Sequence, residues 1–328
     1  MGGQTIRTYL IDGDPTGIIT SEIMNWTGKI IAGPRTLITD LLRRWEAEKT
    51  GIYILKGQDP QDQDRMKVYV GEAENIKNRL ITHNNDENKD FWSYTYFVIS
   101  KDDNLTKAHV RYLESLLISI LRESAEVSLS NSTSPDVPSI PESDQSDMEH
   151  FLNQMKIILP LLEFSYLQTP KSSKDRQVEA EPSGKIITPT TTKSFIASTQ
   201  ASPTFCWAPD EAYALAEIIN GQLTIIEGST ALKEGKPSWT SYRTLRDKFE
   251  REGTLVPDDN NKLLRFTRNT SFPSPSAAAA MVYGGNVNGP QAWKIEGTEK
   301  TFRQWQEEEM QKAGLSISNG NSNDPENG

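Results

Sequence analysis

A single cysteine, Cys206, and three histidines stand in a chain of 328 residues. One thiol cannot form an internal disulfide, and no Cys/His grouping has the spacing of a zinc site. The simple reading is a reducing, cytoplasmic setting. Long apolar runs are missing as well. The most hydrophobic stretch, IILPLLEF at 157–164, is far too short to cross a bilayer and contains Pro160, so no membrane partner is expected. No basic segment followed by an apolar run opens the sequence, and no signal peptide is read there. A basic excess is also absent. The formal net charge of −10 argues against a protein that coats nucleic acid non-specifically, although a bound metal ion can supply positive charge at one place.

What is there falls into blocks. Residues 1–49 read as an N-terminal extension, with a strand at 5–11, a turn at 12–17 and an amphipathic helix at 36–48. TGIYILKG (50–57) and MKVYVG (66–71) are β-rich runs joined by a polar segment, which predicts a hairpin with a long loop. A helix around 73–84, a strand at 90–100 and a helix at 104–123 with Asn104 as cap complete a β-β-α-β-α unit over 50–131. Residues 132–206 read as a linker carrying a helix near 148–167 that ends or bends at Pro160. Within it, 171–203 has the polar composition of a disordered stretch. A second small α+β domain covers 207–312. It starts with a hairpin turning at Asn220-Gly221 and has helices at 239–255, 274–285 and 302–312 and a short strand at 292–295. The tail at 313–328 is too polar to pack. The fold class is therefore α/β of the α+β kind, with a three-stranded antiparallel sheet in the first unit.

Several residues stand out chemically. Glu114 lies inside the apolar band of its helix, where a carboxylate is costly unless paired or bound to a cation. Alone it also fits an ordinary i, i+3 pair with Arg111. Arg79 and His83 are one helical turn apart and can hold a phosphate oxygen together, or form part of a solvated face. Tyr53 and Tyr69 sit on the two arms of the hairpin. Gly71 falls where the strand gives way to a helix and the backbone can approach a ligand.

Taken together, GIY (51–53), YVG (69–71), Arg79, His83, Glu114 and Asn131 resemble the GIY-YIG nuclease family, in the family's β-β-α-β-α order. The second triplet reads YVG rather than YIG, and the segment between the triplets is longer than usual. The resemblance implies hydrolysis of DNA phosphodiester bonds with one Mg²⁺ (or Mn²⁺) held by Glu114, in DNA repair or defence against foreign DNA. It implies that Arg79 braces the phosphate and that a tyrosine, Tyr53 first, takes a proton from the attacking water. Tyr69 and His83 would orient the reactants, and Gly51, Gly71 and Asn131 would lie at the phosphate. Lowering a tyrosine pKa from about 10 to near 7 needs about 4 kcal/mol, whereas passing the proton on to His83 would need less. One centre cutting a duplex twice points to a homodimer or to sequential nicks. The rival readings are an inactive DNA-binding or regulatory protein on the same fold, and a nuclease directed at RNA.

EGSTA (227–231), TLRDKFEREGTL (244–255), SPSAAAAMVYGG (274–285) and NGPQAWKI (288–295) resemble a domain of unknown function that recurs behind GIY-YIG nuclease domains. They are also similar to small domains attached to restriction-system adenine methylases. Arg243, Arg246, Lys248, Arg251, Lys262, Arg265 and Arg268 form the densest basic cluster, with Trp239, Tyr242 and Phe266 among them. Such a mixture can contact phosphates and stack on bases. A solvated amphipathic helix, sharing Asp247, Glu250 and Glu252, explains it equally well.

Overall fold

A computed structural model describes residues 3–62, 65–86, 89–132, 136–167 and 202–315. The linker expected over 171–203 and the tail at 313–328 lie almost wholly outside the described residues. The first unit contains β1 (Ile6–Leu10), β2 (Ile19–Ile23), β3 (Gly28–Pro34), α1 (Ile38–Leu42), β4 (Gly51–Gln58), β5 (Met66–Ala73), α2 (Ile76–Asn85), β6 (Tyr94–Ser100), α3 (Lys107–Arg122), β7 (Val127–Leu129) and α4 (Glu142–Ile158). Its strands form one seven-stranded sheet in the order β1-β2-β3-β6-β4-β5-β7.

The expected β-β-α-β-α run is present as β4-β5-α2-β6-α3, but the three-stranded sheet is a correction. Residues 28–34 (β3) pair with β6, β2 and β1 follow in turn on β3, and β7 adds to β5 in parallel. Both additions are physically reasonable. An edge strand such as β6 exposes a row of unpaired backbone groups, and the extension pairs them.

The helix expected at 36–48 is also broken. α1 is five residues long, Arg44 is extended, and a 3-10 turn follows at Trp45–Glu48. Arg44 and Lys29 each lie 2.7 Å from the buried Glu46 carboxylate. Residues two apart do not face each other on a helix, so the Arg44–Glu46 pair requires the break.

Side-chain alternation on β4 and β5 sorts the core into two layers. Ile52, Ile54, Val68 and Val70 pack with Val110, Leu113 and Leu117 of α3 and with Phe151, Leu152 and Met155 of α4. Tyr53, Leu55 and Tyr69 pack on the other face with Leu41 of α1 and Ile76 and Leu80 of α2. The helix expected inside a linker, α4, is thus part of the first core. It gives way at Pro160 to a 3-10 turn, Leu159–Leu162, as the proline dictates. α3 starts three residues later than Asn104 suggested. Thr106 accepts from His109 N, and His109 Nδ1 accepts from Thr106 N, a capping box that outcompetes Asn104, whose amide turns to Asp102.

The second unit contains β8 (Phe205–Trp207), β9 (Ala214–Ile219), β10 (Gln222–Ile225), β11 (Thr230–Leu232), α5 (Arg243–Arg251), β12 (Leu255–Pro257), β13 (Leu263–Phe266), β14 (Thr270–Phe272), α6 (Pro275–Tyr283), α7 (Gly289–Ala292), β15 (Lys294–Ile295) and α8 (Phe302–Lys312). They make a five-stranded sheet, β14-β10-β9-β8-β15, and a three-stranded one, β11-β13-β12. The Asn220-Gly221 hairpin forms, with both residues left-handed at φ 50° and 69°. α6 is capped by Ser274 and starts at Pro275 as read. Its alanines are buried all round, as a helix apolar on every face must be. α5 begins at Arg243 rather than 239, because Trp239 and Tyr242 turn into the core instead.

The two units are docked. Thr36 Oγ1 donates to Gly221 O at 2.5 Å and Tyr242 N to Pro60 O at 3.0 Å. Arg303 donates to Asn85 O at 3.2 Å, and Ser276 Oγ donates to Asp90. Met310 of α8 and Leu315 join the cluster of Ile38, Leu41 and Leu80.

Candidate active site

Pairing of β4 with β5 sets Tyr53 opposite Gly71. A Cβ on Gly71 would lie 2.2 Å from the Tyr53 hydroxyl, so the glycine leaves room for the phenol. α2 is launched by Asn75, whose side chain accepts from Asn78 N, and its inward stripe of Ile76, Leu80 and His83 lies over the hairpin. The outcome is a three-ring cluster. Tyr53 and Tyr69 centroids are 6.0 Å apart, Tyr53 and His83 5.4 Å, and Tyr69 and His83 5.1 Å. Tyr53 Oη and His83 Nε2 share a 2.7 Å hydrogen bond.

Arg79, one turn before His83, is half-buried and acts on this cluster as a charge and as a hydrogen-bond donor to Tyr53. Tyr53 has no exposed surface, and its pKa is pushed well above 10 by burial first and by charge on Tyr69 second, against the pull of Arg79. That is opposite to the shift a proton acceptor needs. In this structure Tyr53 is the buried anchor of the cluster. Tyr69, at the rim and 7% exposed, is the phenol nearer to solvent.

His83 is buried too. Burial, followed by the charges of Lys89 and Arg79, lowers its pKa from 6.5 to about 3. Holding a proton there at pH 7 costs about 5 kcal/mol, so the resting form of His83 is neutral. Its Nδ1 is buried without a hydrogen-bond partner among the described residues.

Two residues enter that sequence reading missed. Lys89 places its ammonium 3.9 Å from the centroid of the Tyr69 ring. It lies in the polar turn after α2, where no motif marks it. Glu72 follows the YVG triplet directly and, by strand alternation, faces α3. Its pKa is raised by burial, against Lys107, Arg111 and Arg79. Charges from α3 and from α2 thus act together at this carboxylate, near the end of β5.

Glu114 is half-buried on α3, the helix that covers the face opposite to Tyr53 and Tyr69. No group of three or more His, Cys, Asp or Glu side chains among the described residues could hold a metal ion. A single half-buried carboxylate as protein ligand suits Mg²⁺, which keeps most of its water and shares substrate phosphates, and does not suit a tightly caged ion.

The glycines and Asn131 have packing roles in this structure. A Cβ on Gly51 would meet Val98 O at 2.2 Å, so this glycine closes the sheet. Asn131 accepts from Val70 N at 3.0 Å and donates to Val70 O at 2.8 Å, prolonging the ladder beyond β7 along β5.

The basic cluster of the second unit divides. Arg246 is 2% exposed and donates to the carbonyls of Met281, Leu232 and Lys233 and to Glu250. It ties the core together and cannot meet DNA, and burial lowers its pKa. Trp239, Tyr242 and Phe266 are buried, so stacking on bases is excluded for them. Arg243, Lys248, Arg265 and Arg268 stay at the surface.

No helix among the described residues is long and apolar enough to cross a membrane. No curated protein and no solved structure matches the chain. Residues 204–306, which hold the second unit up to the first half of α8, match the family model described as a domain of unknown function, DUF4357.

Proposed function

We propose that the first unit is a divalent-metal-dependent endonuclease of the GIY-YIG type, hydrolysing DNA phosphodiester bonds. The observation that supports this reading best is the gathering of Tyr53, Tyr69 and His83 beneath Arg79, from two strands and a helix, with centroids no more than 6.0 Å apart. A packing cluster alone has no use for a guanidinium against buried phenols. A phosphate beside them does.

In this reading Arg79 takes the non-bridging oxygens as charge develops on them. Tyr69, at the rim, first gives its own proton to solvent; the Lys89 ammonium over its ring favours the phenolate, which then takes a proton from the attacking water and returns to the neutral phenol. Tyr53 and neutral His83 hold that ring in place and keep water from the rear of the site. Glu114, which comes from the helix across the sheet, would have to reach this centre around the end of β5, where Arg79 of α2 and the charges of α3 act together on Glu72. There it would hold Mg²⁺ (or Mn²⁺), which when bound would supply charge to stabilise the leaving oxygen. Each centre breaks one strand, so duplex cleavage takes two copies or two successive nicks.

Supercoiled plasmid incubated with the full chain tests this. Relaxation to the nicked form with Mg²⁺, and none with EDTA, is the expected result. Intact plasmid, offered beside branched and single-stranded DNA that also survive, contradicts it.

A further inference from the structure

Beside Tyr69 the two units enclose an open cleft of about 380 Å³. Lys67 and Phe91 line it from the first unit, and Tyr242, Asn286, Val287 and Asn288 from the second. We infer that this cleft binds a single-stranded stretch of nucleic acid leading away from the scissile phosphate, with the second unit as its far wall. This rests on the nuclease reading of the adjoining centre.

Continuity with that centre comes from β5 itself. Lys67 and Tyr69 are two residues apart on one face of the strand, about 7 Å along it. The chain that carries Lys89 over the Tyr69 ring reaches the cleft wall two residues later, at Phe91. A strand held at Tyr69 therefore has Lys89 and Lys67 as its next cations.

Charge inside the cleft favours a polyanion although the whole chain is acidic. Asp90, the carboxylate in its lining, is neutralised by Arg35 at 2.8 Å and accepts from Ser276. Lys67 forms no ion pair among the described residues and sits 5.5 Å from the Phe91 ring centroid. Amide and hydroxyl groups supply the rest. Asn286 Oδ1 accepts from Ser241 N at 3.1 Å, which fixes the rim, and the half-buried Asn288 lines the cleft beside it. Such groups match base edges and sugar hydroxyls. The volume admits a nucleotide or two, and a duplex is too wide to enter.

The test is fluorescence anisotropy of labelled 12-mers with the full chain in EDTA, which separates binding from cleavage. Single-stranded DNA, single-stranded RNA and duplex DNA are compared for wild type, Lys67→Gln, the cleft-filling Val287→Trp and, as an outside control, Arg265→Gln. Lys67→Gln is expected to weaken single-strand binding at least fivefold and Val287→Trp at least tenfold. Duplex binding and Arg265→Gln should stay within twofold of wild type. Should Val287→Trp fail to fold, Lys67→Gln decides alone. Unchanged single-strand affinity in the cleft variants, equal loss for duplex and single strand, or no binding by wild type overturns the inference. Normal cleft binding without any plasmid cleavage would instead sink the nuclease reading and leave the cleft standing. Preference between the DNA and RNA strands identifies the sugar.

Discussion

Tyr53 Oη and His83 Nε2 lie 2.7 Å apart, with His83 3% exposed and Tyr53 wholly enclosed. The bond satisfies one ring nitrogen of a histidine that the fold keeps neutral, its pKa lowered to about 3. The unfolded chain takes up a proton on this ring below about pH 6.5, and the folded one does not until far lower. Stability from this residue is therefore intact above pH 6.5 and declines as pH falls toward 3. By pH 5 the loss is about 2 kcal/mol. Urea denaturation at pH 7, 6 and 5 should show this decline in wild type and a flatter profile in His83→Gln. Parallel profiles would contradict the neutral, buried histidine.

Gly71 fits a second prediction. An alanine there places a methyl on the Tyr53 hydroxyl, and the phenol must leave His83. Gly71→Ala is expected to lower stability by about 1–3 kcal/mol, the usual range for overpacking, and to cut plasmid nicking at least tenfold at a temperature where the variant is folded. Thermal unfolding and a nicking assay on the same sample check it. Wild-type behaviour in both would mean that the close approach is not there.

Arg246 and Arg265 should separate cleanly. Arg246→Gln removes a buried charge from three carbonyls and Glu250, and should cost about 3 kcal/mol in denaturant melts. Arg265→Gln, exposed on β13, should cost less than about 0.5 kcal/mol. Equal costs would undo the structural assignment of Arg246.

Local rules carried much of this fold. The Asn220-Gly221 turn, the Ser274-Pro275 helix start, the bend at Pro160 and the β4–β5 hairpin all follow from short-range backbone chemistry. What escaped was long-range. ITSEI and GKIIAGP have no strand pattern of their own and become strands by pairing on the β6 side of the sheet. The Asn104 cap and the unbroken 36–48 helix lost to partners farther off, His109 and the Glu46 ion pairs. In the candidate site the motif spacing brought Tyr53, Tyr69 and His83 together, yet it could not reveal which tyrosine reaches solvent. Burial settles that, and burial depends on α1, α2 and α8 closing one face. Arg246 carries the same lesson. A basic residue among basic neighbours reads as surface until the carbonyls around it are seen.

The most direct test of the proposed chemistry is a single-turnover cleavage rate on labelled DNA with Mg²⁺, comparing wild type with Glu114→Gln and Arg79→Ala. Both variants are expected to bind the DNA within threefold of wild type and to unfold at a similar temperature. Their cleavage rates should fall by about a thousandfold, the scale of losing a charge that acts only in the transition state. Variants that cut at the wild-type rate would contradict the account.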